Sequence, residues 1–220
     1  VEIHKPKPAH TVREFLIEIG TIICGILIAL ALEQVVEGIH RRAEVREARE
    51  ALQDEIRDNA STLVFGVEED KCLLPKLDAF AAWARGGTKP PALRTFLAGY
   101  GVSTWETVKI SAVPHMPLEE RRTLAAFYDH LANEKDVVNI QRSSALVLIG
   151  ASERDTLDHE DARRVLDAVS NARLLTNFHI SNAQGLIQQA EKLGVKAPPL
   201  PPEQQSDIAL LCEPGDNGPH

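Results

Sequence analysis

At 220 residues, with 44% apolar and 25% charged side chains, the chain can form one domain with a real core plus an appendage, and its composition is not that of a disordered protein. The formal charge of −8 resides wholly beyond residue 32, because Lys5, Lys7 and Arg13 offset Glu2, Glu14 and Glu18 before it. A remainder that acidic repels phosphate backbones, which argues against nucleic acid as a partner.

Aromatic residues make up only 5%, and Ala, Leu, Glu and Arg are abundant, a mixture suited to packed helices. The fold expected is all-α: a transmembrane helix near the N-terminus that continues into a long amphipathic helix, followed by a helical bundle. The organisation is a basic tail over residues 1–14, a membrane helix over 15–36, a bundle over 37–195 and a Pro-rich tail over 196–220.

Between Glu18 and Glu33 lie 14 uncharged residues rich in Ile and Leu. As helix they reach about 21 Å, short of a hydrocarbon core of roughly 30 Å. The flanks Val12, Phe15, Leu16, Ile17, Val35 and Val36 extend the helix to about 37 Å and leave Glu18 and Glu33 near the two interfaces. The Ile, Leu and Phe side chains together favour insertion by about 5 kcal/mol, against about 3 for a charge at mid-bilayer and less for one near an interface. Two other readings compete. A cleavable signal peptide would use Ala29-Leu30-Ala31, but acidic residues precede the apolar stretch and good helix follows it. A buried helix of a soluble protein is the third.

The run His4-Lys5-Pro6-Lys7-Pro8, then His10, Arg13-Glu14-Phe15, Glu18, Ala29-Leu30-Ala31 and Glu33-Gln34-Val35-Val36-Glu37 resembles the opening of a group of uncharacterised bacterial single-pass membrane proteins of similar length. The resemblance covers about the first 40 residues. It implies an anchor in the bacterial inner membrane and a helical domain, and transfers no activity.

On a helical wheel Glu18, Thr21, Gly25, Ala29 and Glu33 share one small, polar face. Small residues four apart allow close helix approach in lipid, so this face is a candidate contact with a second copy or a partner transmembrane helix; composition alone also explains the Gly and Ala. Basic residues lie on both sides, Lys5, Lys7 and Arg13 before and Arg41, Arg42, Arg46 and Arg49 after, so charge counting gives near-parity. Because long domains translocate with little regard to charge, the expected orientation is N-in with the C-terminal domain extracytoplasmic.

Further along, apolar residues recur at helical spacing from Val36 to Ala81, with Asn59 to Thr62 and Gly66 as weak points and Pro75 as a kink or restart. Arg85-Gly86-Gly87 followed by Pro90-Pro91 ends this helix. A short helix is expected over residues 92–98, and Ser103-x-x-Glu106 reads as a capping box opening another to about Ala112. Two long helices follow, from Leu118 to about Ile149 and from His159 to about Val195, with Gly194 as a stop. The tail from Lys196 should be extended, with residues 208–212 apolar enough to dock.

Cys24, Cys72 and Cys212 form no metal or redox motif. Cys24 falls in the apolar segment, leaving Cys72 and Cys212 as a pair able to bond in an oxidising compartment. His130-x-x-x-Glu134 lacks a third ligand, His159-Glu160-Asp161 reads as first-turn acids, and His179 as a hydrogen-bonded core histidine in preference to a catalytic base. Ser143-Ser144 has no nucleophile elbow. Trp83, Tyr100 and Trp105 read as core packing before recognition anchors. No catalytic, cofactor-binding or metal residue is therefore assigned. The function expected is that of a membrane-tethered interaction or scaffold protein acting at the lipid bilayer; a ligand-sensing bundle and an unrecognised membrane-bound enzyme are the alternatives.

Overall fold

The computed structural model describes residues 12–94 and 99–213. The His4-Lys5-Pro6-Lys7-Pro8 opening, Lys5 and Lys7 of the basic tail, and the Gly/Pro-rich end of the C-terminal tail lie outside them. Every regular element among the described residues is helical: α1 (Val12–Ala84), α2 (Ser103–Val108), a 3-10 turn (Val113–His115), α3 (Leu118–Ser152), α4 (His159–Lys192) and α5 (Pro202–Cys212). The chain divides into two units, Val1–Glu47 and Ala48–His220.

In the first unit α1 has no core to serve. From Val12 to Glu37 every residue but Gly20 is exposed, including Ile22, Ile23, Ile26, Leu27, Ile28 and Leu30. An 18-residue window here has a mean hydropathy of 2.6 and none of it is buried. This is the one helix among those described that is long and apolar enough to cross a membrane.

The second unit is a bundle whose directions follow from its cross-links. Arg49 meets Glu120, Glu55 meets Tyr128 and Asp70 meets Gln141, so α1 and α3 advance together and run parallel. His179 meets Asp70 and Arg173 meets Asp78, so α4 is antiparallel to α1; Gln141 with Thr176 and His130 with Gln189 make it antiparallel to α3 as well. Parallel α1 and α3 need a return crossover, because residues 49–84 of helix are about 52 Å long. Residues 85–117 supply it: Leu93 joins the apolar cluster of Leu73, Leu77, Phe80 and Trp83, Tyr100 reaches His179, Gly101 pairs with Asn59, and Thr104 reaches Glu55.

Leu52, Ile56, Leu63, Leu77, Phe80, Phe127, Leu131, Leu148 and Val165 are at most 1% exposed. Each such side chain contributes about 1.5–3 kcal/mol on burial, whereas the half-exposed Arg49–Glu120 pair, bidentate at 2.7 and 2.8 Å, adds at most about 1 kcal/mol. Apolar burial holds the bundle together, and the ion pair fixes its register. Alanines at 168, 172, 183 and 190 are the buried small residues that let α4 approach its neighbours.

Several local expectations need correcting. Pro75 neither ends nor restarts α1, which continues to Ala84. The buried Leu73, Leu77 and Phe80 around it outweigh the roughly 3 kcal/mol that an internal proline costs. Residues 87–94 are irregular and 95–98 lie outside the described set, so no helix is described over 92–98. The helix opened at Ser103 stops at Val108, and its N-cap is Val102, with no side-chain cap of its own. The tail is not extended over residues 202–212, which form α5 with Pro202 in its first turn, where a missing N–H costs nothing. Gly86 and Gly194, at φ +96° and +81°, close α1 and α4 with Gly87 N donating to Ala82 O and Val195 N to Ala190 O.

Candidate functional site

Midway along the bundle a layer of polar side chains replaces the apolar core. In α1 the seven-residue series Leu63, Asp70, Leu77 carries an acid in the middle; in α3 the series Phe127, Glu134, Gln141, Leu148 carries two polar residues; in α4 Ala172, His179, Leu186 carries a histidine. Because the three helices hold these positions at one level, the side chains meet. Asp70 is 4% exposed, His179 3%, Glu134 and Thr176 0%.

His179 is the hub. Its Nδ1 lies 2.5 Å from Asp70 Oδ2, and its Nε2 lies 3.3 Å from both the Tyr100 hydroxyl and Glu134 Oε1. Gln141 donates from Nε2 to Asp70 Oδ1 at 2.8 Å and to Thr176 Oγ1 at 2.9 Å. Neither oxygen of Glu134 completes a well-directed hydrogen bond. Gly66 lies against the imidazole edge, where a Cβ would come within 2.7 Å of Cε1.

Burial opposes a charged imidazole, but the Asp70 hydrogen bond and the charges of Asp70, Glu134 and Glu69 outweigh it and push His179 above its ordinary pKa. Burial pushes Glu134 up, and the proximity of His179 and Asn182 offsets this only in part. Burial, with the charges of Glu134, Asp70 and Glu69, raises Tyr100 far enough to keep it a neutral phenol.

An Asp–His pair of this kind orients an imidazole as a base. Here both ring nitrogens face buried protein groups and none opens to solvent, so the imidazole is closed to a substrate. Asp70 and Glu134 occupy opposite edges of the ring, so their oxygens do not converge with it on one point. No group of three or more His, Cys, Asp or Glu suited to a metal ion occurs among the described residues.

A second polar network fastens the crossover. Glu55 of α1 accepts from Thr104 N at 2.7 Å, Trp105 N at 3.1 Å and the Tyr128 hydroxyl at 2.8 Å, capping α2 from a different helix. The Ser103 hydroxyl points to the same carboxylate at 3.4 Å. Asn59 grips Gly101, accepting from its N at 2.9 Å and donating to its O at 2.7 Å. Trp105 stacks on Tyr128, with ring centres 4.6 Å apart and planes within 7°.

Cys72 on α1 and Cys212 at the end of α5 form a disulfide with a Cα–Cα distance of 5.0 Å. Leu211 is buried beside it and Lys76 donates to the Leu211 carbonyl, so α5 is fixed at its C-terminal end. Cys24 is free and exposed on the apolar stretch of α1.

Among the other candidates, His130 and Glu134 do not converge: Glu134 turns into the core, while His130 is exposed and bonds Gln189 at 2.7 Å. His159 opens α4 with Glu160 and Asp161 in its first turn, and the true N-cap is Asp158, which accepts from Asp161 N at 2.8 Å. Ser143 donates to Asn139 O within its own helix. Trp83 and Tyr100 are buried. On the first unit's helix the Thr21 hydroxyl donates to Ile17 O, and no other atom comes near a Cβ placed on Gly25. Sequence reasoning weighed His179 alone; Asp70, the partner role of Glu134, and Glu55 were missed.

Comparison with known proteins finds no matching family model, no matching curated protein and no matching solved structure.

Proposed function

We propose that the chain is a single-pass, membrane-tethered helical protein whose bundle serves as an interaction or scaffold domain on the outer side of a bacterial inner membrane. The observation that carries this is the apolar stretch of α1: residues 19–32 hold no charge and all but Gly20 are exposed, and burial in hydrocarbon is what such a surface requires. A soluble core helix would be covered by its own domain, and this window is not.

The Cys72–Cys212 disulfide supports the outward placement of the domain, since such bonds persist in oxidising compartments. The bundle supports a binding role in preference to a catalytic one, because the buried Asp70–His179 pair is enclosed by protein groups. Membranes from cells expressing the chain should retain it after alkaline carbonate extraction, with residue 1 or its neighbours still present. A soluble species beginning near Leu32 would show instead that the stretch is a cleaved signal.

A further inference from the structure

The buried layer brings ionisable side chains from three helices and the crossover together: Asp70 on α1, Glu134 on α3, His179 on α4 and Tyr100 from the crossover, with the half-buried Glu69 beside Asp70. The neutral groups Gln141, Thr176 and Asn182 complete its walls. A packed core tolerates net charge poorly. Asp70, Glu134 and His179 together are neutral only when they share two dissociable protons, as a carboxylate, a carboxylic acid and an imidazolium. We propose that this cluster is a proton latch, which locks α1, α3 and α4 together while neutral and loosens their packing when it loses a proton.

In the unfolded chain near neutral pH Glu134 is ionised and His179 is mostly neutral, since their ordinary pKa values are about 4.3 and 6.5. Folding therefore takes protons up. The sign follows from the directions of both shifts. His179 is raised, so its contribution is complete below the unfolded value and is lost as pH climbs through the folded one. Glu134 is raised too, so folding is penalised progressively above its unfolded value. Both work the same way, and the latch opens on the alkaline side. The inference concerns the second unit alone and stands without the membrane reading.

The latch is tested with the full chain in detergent micelles, unfolded by urea and followed by fluorescence of Trp83 and Trp105, both in the second unit. Each extra proton held by the folded form raises the unfolding constant tenfold per pH unit, so the wild type should show about a tenfold rise or more per unit over part of the range from about pH 6.5 to about pH 8.5. Glu134→Gln keeps the shape of the protonated carboxyl and cannot ionise. It should lower that slope by about one proton and make the chain more resistant than wild type at the alkaline end. His179→Gln should be weakened at acid and neutral pH and lose the imidazolium's share of the slope while keeping that of Glu134. A flat wild-type profile, an unchanged slope in Glu134→Gln, or failure of Glu134→Gln to fold would each overturn the proposal.

Discussion

Gly66 on α1 faces His179 on α4 so closely that the smallest possible side chain would strike the ring, at 2.7 Å from Cε1 and 3.2 Å from Nε2. The glycine is a requirement of the neighbouring helix, since α1 passes through residue 66 without a break.

Gly66→Ala is therefore expected to destabilise the fold. Alanine gains about 1 kcal/mol over glycine in a helix interior, but the imidazole is held by Asp70 and has no room to retreat, and overpacking of this kind costs about 1–3 kcal/mol. The clash should win by about 1 kcal/mol, read as a lower urea midpoint with unchanged slope. A more stable variant would mean that the ring moves freely.

Glu55→Ala should detach the crossover from α1. The carboxylate accepts from two backbone N–H groups and a buried phenol, and its removal takes the acceptor from all three donors. A loss of about 2–3 kcal/mol is expected. Trp105, stacked on Tyr128, should report it as a changed emission maximum. Glu55→Gln, which can still accept from one oxygen, should lose less.

These two sites show where sequence reasoning succeeds and where it stops. Helices α3 and α4 were readable because their apolar spacing, their Gly and Pro punctuation and the first-turn acids of α4 agree, and the structure starts them at Leu118 and His159. The parallel course of α1 and α3 was not readable, because nothing local specifies a 33-residue return path. The capping box at Ser103 failed for the same reason: the cap comes from Glu55, 48 residues away in sequence. The polar layer did leave a trace, since Asp70, Glu134 and His179 each interrupt a seven-residue apolar series. One interrupted stripe says little, but three interruptions are informative once their common level is known.

Reduction should weaken the second unit without unfolding it. The disulfide closes a loop across 140 residues, for which chain-entropy reasoning gives an upper bound of about 5 kcal/mol; a few kcal/mol is expected. A lower midpoint in the presence of a thiol reductant, matched by a Cys72→Ser/Cys212→Ser chain that no longer responds to reductant, is the predicted result. Because the bundle core does not depend on α5, in which only Leu211 is buried, helicity should remain.

Gly25→Ile tests the small face formed by Glu18, Thr21, Gly25, Ala29 and Glu33. If this face meets a second transmembrane helix, the added side chain should hold the helices apart and lower association in a membrane two-hybrid assay. The same substitution should leave the urea midpoint of the second unit unchanged. Undiminished association would remove the face from consideration.

Orientation is the last prediction, and charge does not decide it. Lys5, Lys7 and Arg13 before the apolar stretch stand against Arg41, Arg42, Arg46 and Arg49 after it, a difference too small for the positive-inside bias. The disulfide separates the two arrangements better. Cys72 and Cys212 lie on the same side of the stretch, and their bond persists in an extracytoplasmic space, whereas cytoplasmic thiols are kept reduced. With the domain outside, alkaline phosphatase fused after His220 should be active, and Cys72 and Cys212 should resist a membrane-permeant alkylating reagent until reductant is added. Cys24, free and exposed on the apolar stretch, should not acquire a partner in either case. A cytoplasmic reporter that becomes active at the same fusion point, with all three thiols open to alkylation, would reverse the topology and show that the bond does not form in the cell.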